Sequence, residues 1–160
     1  MNKINMKFIA HRGNTIGKLA SAENQPYYID GALRDGFDVE LDLWIVNDEL
    51  FLGHDNPDTK IDKEFLIERK DNIWCHGKNL EALDFLVKEN FNCFFHDKDD
   101  YTLTSKGIIW AYPGQKINKN SVCVMPESCD HDIYTPENLK NCYGICSDII
   151  EVYRENYSEP

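Results

Sequence analysis

Seven short apolar runs recur along the chain: Lys7–His11, Phe37–Leu43, Ile73–His76, Asn92–His96, Gly107–Ala111, Ser121–Met125 and Tyr143–Ser147. Each is four to seven residues long and rich in Ile, Val, Phe, Trp and Cys. That length suits a strand rather than a helix, and a continuous apolar run suits a strand covered on both faces. Helical patterns lie between several of them. Asn24–Arg34 follows a polar start, and Asn79–Glu89 carries Leu80, Leu83, Leu86 and Val87 on one stripe. Val46-Asn47-Asp48-Glu49-Leu50 reads as the turn of a hairpin that returns along Leu50–Gly53. Strand and helix in alternation imply a parallel α/β sheet.

With 160 residues the chain makes one domain, spanning 1–160. It is short for a closed eight-stranded α/β barrel, which typically takes about 250 residues. The connections from Cys93 to Gly107 and from Ala111 to Ser121 leave little room for a full helix. The expected architecture is therefore α/β, a shortened TIM-type (β/α) barrel with trimmed helices. An open doubly wound sheet is the rival, but no glycine-rich turn follows the first strand.

Composition narrows the partners. Seventeen Lys and Arg against 28 Asp and Glu give a net charge of −11, which disfavours nucleic acid and anionic membrane. No apolar run approaches the roughly 20 residues of a transmembrane helix. Only Phe8-Ile9-Ala10 lies between Lys7 and His11, too short for the core of a signal peptide, so a cytoplasmic location is expected. The six cysteines include no CxxC pair, and Cys75, Cys93, Cys123 and Cys146 fall inside apolar runs. They are expected to be reduced, buried thiols.

The run Phe37-Asp38-Val39-Glu40-Leu41-Asp42-Leu43 alternates apolar and acidic residues, so its three carboxylates share one face of a strand. A solvated outer face would explain the alternation, but both faces of a parallel sheet are usually covered. Buried carboxylates need a partner or a cation. Glu40 and Asp42, near the end of the strand, offer hard oxygen ligands suited to Mg²⁺ or Ca²⁺. Four of the five histidines, His11, His54, His76 and His96, stand at or just past the ends of apolar runs. Active sites of α/β barrels assemble at the C-terminal strand ends, and imidazole both gives and takes protons near neutral pH. Arg12 offers a planar fork of donors for a phosphate, and Gly13 allows close backbone approach. The three tryptophans, Trp44, Trp74 and Trp110, read first as core.

These motifs together resemble the glycerophosphodiester phosphodiesterase family, one of the PLC-like phosphodiesterases. The resemblance runs from Lys7 to Asp55: His11-Arg12-Gly13 after an apolar strand, Glu23-Asn24 opening a helix, Gly36 to Asp42, then a hairpin ending in His54-Asp55. Ser147-Asp148 is similar to the Thr-Asp that closes the family's last strand. The resemblance implies a barrel that cleaves a small glycerophosphodiester-like or lysophospholipid-like molecule with a divalent cation. It implies that His11 and His54 are the acid–base pair, that Glu40 and Asp42 hold the metal, and that Arg12 contacts the phosphate.

The family's next strand carries an acid, one residue, then lysine. Here Cys75-His76-Gly77-Lys78 keeps Lys78 and puts His76 in the place of the acid. Lys78 is then expected to stabilise charge on the phosphoryl oxygens, while His76 completes the metal shell or binds the substrate phosphate. A histidine ligand makes Mn²⁺ or Zn²⁺ more tolerable. Glu127 is an alternative source of a metal oxygen, and His96 an alternative pocket wall. A non-catalytic phosphate or sugar-phosphate binding module on the same fold is the alternative function.

Overall fold

The buried runs pair side by side because each has both faces to cover. In the computed structural model, which describes residues 5–130 and 132–159, β1 (Lys7–His11) leads through α1 (Pro26–Arg34) to β2 (Asp38–Val46). β2 turns back into β3 (Glu49–Leu52) and β4 (Thr59–Ile61), and α2 (Lys63–Glu68) leads to β5 (Ile73–Gly77). Next come α3 (Leu80–Lys88), β6 (Cys93–Phe94), β7 (Tyr101–Leu103), β8 (Ile109–Ala111) and β9 (Ser121–Val124). α4 (Pro136–Lys140), β10 (Gly144–Ser147) and α5 (Ile150–Tyr157) complete the chain.

All seven apolar runs become parallel strands, in the spatial order β6-β5-β2-β1-β10-β9-β8. The sheet curls into a partial barrel. Its two ends, β6 and β8, form no ladder with each other among the described residues. They meet instead through side chains and the β7 hairpin. Phe94 stacks on Trp110 at 4.5 Å, and the Ser105 N–H donates to the Cys93 carbonyl at 2.8 Å. β7 runs antiparallel to β8 and occupies the connection that was too short for a helix. The connection from β8 to β9 is likewise helix-free. β2 and β3 join through Asn47 and Asp48, both at positive φ, the backbone of a tight hairpin turn.

Alternation along the strands sorts two cores. Ile9, Trp74, Phe94, Trp110, Val122 and Cys146 form one cluster. The intervening residues Ala10, Val39, Leu41 and Cys75 belong to a larger cluster with Ile29, Leu86 and Ile150 from α1, α3 and α5. The carboxylates of β2 share the face of the first cluster. Asp38 sits at one end, accepting from Trp74 Nε1 at 3.1 Å and Asn72 Nδ2 at 3.0 Å, with Lys7 Nζ 3.3 Å away. That leaves Glu40 and Asp42 toward the opposite end.

The six cysteines are free thiols, five of them buried. Burial pushes Cys75 and Cys146 well above the ordinary thiol range. A reducing agent is therefore expected to leave the melting temperature unchanged. A fall of about 10 °C, the order expected from losing a disulfide worth about 2–4 kcal/mol, would contradict this. No helix among the described residues is long and apolar enough to cross a membrane.

Candidate active site

Strand register brings the acidic strand against the histidines. His11 is the lateral neighbour of Glu40 across β1 and β2, and Asp42 is the neighbour of His76 across β2 and β5. The chain then turns sharply. Arg12 adopts φ 53°, Gly13 follows at φ 90°, and a Cβ on Gly13 would lie 2.9 Å from the Tyr28 ring. Asn24 and Met125 are also left-handed, at φ 60° and 48°. Such backbone is uncommon for side chains other than glycine and clusters at functional sites.

Asp42 is 1% exposed and Glu40 3% exposed, the two most enclosed charges among the described residues. Asn24 grips Asp42 twice: its Nδ2 donates to Asp42 Oδ2 at 2.9 Å, and its Oδ1 accepts the Asp42 N–H at 3.0 Å. Arg12 Nε lies 3.4 Å from Asp42 Oδ2, His76 Nδ1 3.1 Å from Oδ1, and Lys78 Nζ 3.8 Å from Oδ1. Burial alone would raise the Asp42 carboxyl. The contact and charge of His76, with Arg12 and Asn24, outweigh it and hold Asp42 at about 2. Glu40 lacks such a cage, so burial and the charge of Asp42 push it up.

Glu40, Asp42 and His76 each offer a ligand atom within 4.8 Å of the others. Asp42 Oδ1 and Arg12 Nε are both buried without a hydrogen-bond partner. His76 Nε2 lies 3.1 Å from the His96 carbonyl oxygen. A proton donated there leaves Nδ1 with its lone pair facing Asp42 Oδ1, two acceptors with nothing between them. Metal-bound histidines commonly donate their second nitrogen to a carbonyl in this way. With the proton on Nδ1 instead, Nε2 accepts the His96 N–H at 3.3 Å. Two carboxylates, one with an orphaned oxygen, and one imidazole nitrogen fit a divalent cation. The softer nitrogen is expected to admit Mn²⁺ and Zn²⁺, so His76→Glu should raise Mg²⁺ or Ca²⁺ affinity. Unchanged affinity for these ions in His76→Glu, measured by calorimetry, would remove His76 from the shell.

His11 is held from behind. Its Nδ1 is 2.7 Å from Asp148 Oδ1, while Nε2 lies 3.8 Å from Glu40 Oε2. Burial would lower the imidazolium, but the Asp148 hydrogen bond and the Glu40 charge more than reverse that and raise it. Asn14 Nδ2 donates to Asp148 Oδ1 and Glu23 Oε2, both at 2.9 Å. His11, Glu23 and Asp148 form a second group of close metal-type donors, but these hydrogen bonds already occupy it. His54 stands on the loop after β3 with its side chain 43% exposed, Nδ1 2.8 Å from Asp55. Burial and the charge of Arg12 lower its pKa.

One cavity of about 440 Å³ gathers these groups. Its polar lining includes His11, Arg12, Glu40, His54, His76 and Lys78, and its apolar lining Phe94, Trp110, Tyr112, Val124 and Met125. His96 lines the same cavity, as its place at a strand end suggested. Glu127 does not join the metal group. Its Oε1 accepts from Ser147 Oγ at 2.7 Å and from the Asp148 N–H at 3.1 Å, so it braces the turn that presents Asp148.

Three contacts of the candidate site escaped the sequence reading: Asp148 on His11, Asn24 on Asp42, and Asn14 on Asp148 and Glu23. Ser147-Asp148, similar to the Thr-Asp that closes the family's last strand, was the signal for the first, but it gave Asp148 no role. Asn24 stood in the Glu23-Asn24 motif of the resemblance without a role, and Asn14 carries no signal without the fold. Comparison of the chain with protein-family models, curated proteins and solved structures returns no significant match.

Proposed function

We propose that this chain is a divalent-cation-dependent phosphodiesterase on a shortened TIM-type barrel, cleaving a small glycerophosphodiester-like or lysophospholipid-like molecule. The observation that carries this reading is a metal-type donor set, Glu40, Asp42 and His76, two of whose members line one cavity with Arg12, Lys78, His11 and His54. Glu40, Asp42 and His76 would hold the cation. When bound, it supplies positive charge against the phosphoryl oxygens. Arg12, whose Nε makes no hydrogen bond, and Lys78 orient the phosphate and stabilise the charge that gathers on it. His54 takes the proton of the attacking oxygen. His11, fixed at Nδ1 by Asp148, gives a proton from Nε2 to the departing oxygen. Six free thiols suit a reducing, cytoplasmic compartment.

One observation favours the alternative, a non-catalytic phosphate-binding module. Asp42 already has Arg12, His76 and Lys78 around it, so its charge is compensated without an ion. Phosphorus NMR on glycerophosphodiesters and lysophospholipids, with Mg²⁺, Ca²⁺ or Mn²⁺, separates the two. Metal-dependent loss of the diester signal, stopped by a chelator, is expected. Binding of glycerol phosphate with no turnover under any cation would favour the module.

A further inference from the structure

The cavity has a second compartment across Arg12 and His54. A cleft of about 480 Å³ lies between the β1–α1 and β3–β4 loops, lined by Lys18, Glu23, Gln25, Asp55 and Asp58. Arg12 and His54 line both spaces, whereas His11 lines only the first. The two spaces differ in chemistry. The cleft is polar and hydrogen-bonding, while the first cavity faces the site with an aromatic and aliphatic wall. Phe94 and Trp110 are stacked there, and the His96 and Tyr112 rings pair at 5.3 Å nearby.

Resting on the phosphodiesterase reading, we propose that the diester straddles Arg12 and His54 with its two arms in different compartments. The departing alcohol is an uncharged ring-bearing or alkyl group seated against Trp110, Tyr112 and Met125. The retained arm is a hydrogen-bonding alcohol in the polar cleft. The bond from phosphorus to the oxygen of the apolar arm breaks. That oxygen leaves with the proton of His11 Nε2, because His11 borders that cavity alone. The attacking oxygen, of water or of a hydroxyl on the retained arm, forms the new bond to phosphorus and loses its proton to His54. A cationic departing arm is disfavoured, because it would share the cavity with Arg12 and Lys78, while on this reading Glu40 and Asp42 are taken up by the metal cation. Asp97, the remaining acid of that cavity, is exposed and solvated.

The test uses three diesters of glycerol 3-phosphate that differ only in the second alcohol: methanol, benzyl alcohol and choline. Methyl and benzyl alkoxides are similar leaving groups, so a preference between them reports recognition. Benzyl is expected to exceed methyl by about 10–100-fold in kcat/KM, the scale of burying one aromatic ring. Choline is expected to fall below benzyl. Tyr112 is 46% exposed, so Tyr112→Ala can fold. It should shrink the benzyl-to-methyl ratio by about 10-fold, and Tyr112→Phe should restore it. Equal rates on methyl and benzyl, or choline preferred to benzyl, would overturn the assignment. If no diester is cleaved, the phosphodiesterase reading falls. The same compounds' Kd values by calorimetry then decide the wall's preference separately, and equal affinity for methyl and benzyl overturns the inference.

Discussion

Replacement of His11 by alanine is expected to cut turnover by about 10²-fold or more, the usual contribution of a positioned acid–base group. The effect should appear in kcat while the melting temperature barely moves, because the His11 ring is part of the cavity surface rather than of either apolar cluster. The pH profile follows from the same contacts. A base must be unprotonated, and burial with the charge of Arg12 lowers His54 below its ordinary 6.5, so activity should rise through that lower value. An acid must be protonated. Burial lowers His11, but Asp148 and Glu40 raise it beyond that, so activity should fall only above 6.5. A cation on Glu40 would draw that upper limb back toward neutrality. Asp148→Asn removes a raising influence and should move the upper limb to lower pH without touching the lower one. A pH profile of His54→Ala that keeps its lower limb would take the base role from His54.

The second large effect is on the cation. Glu40→Gln and Asp42→Asn each remove one carboxylate while keeping its shape. Loss of a supporting residue around a metal commonly costs about 10–100-fold in affinity, and loss of a direct ligand should cost more. Asn24→Ala, which releases the clamp on Asp42, should fall in the supporting range. The stability readout has the opposite sign from ordinary core damage. Burial and the charge of Asp42 already raise Glu40, so the ionised carboxylate is strained by its surroundings in the absence of a cation. Metal-free Glu40→Gln should therefore melt at least as high as the parent, while the rise in melting temperature on adding Mn²⁺ should disappear. A large loss of stability in metal-free Glu40→Gln would mean that Glu40 is a structural acid.

The parallel strands were legible because burial on both faces leaves a signature in consecutive residues. Phe8-Ile9-Ala10 and Val122-Cys123-Val124 need no long-range information to be read as covered strands. The inward carboxylates were legible for the converse reason: Asp38, Glu40 and Asp42 interrupt apolar residues at a spacing of two. What stayed hidden depends on contacts distant in sequence. β4 and β7 are three-residue strands with mixed exposure, defined by their neighbours rather than by their own pattern. α4 is five residues long, although Thr135-Pro136 and Asn138 did hold a readable capping box. Asp148 meets His11 from 137 residues away, and only the closing of β10 beside β1 makes that pair.

The central claim is that Glu40, Asp42 and His76 bind a divalent cation that the chemistry requires. Mn²⁺ titration followed by electron paramagnetic resonance tests it most directly, comparing the parent chain with Glu40→Gln, Asp42→Asn and His54→Ala. One tight ion per chain is predicted for the parent and for His54→Ala, which lies outside the donor group, with binding lost in both carboxylate variants. Equal Mn²⁺ affinity in the parent and in Asp42→Asn would contradict the account.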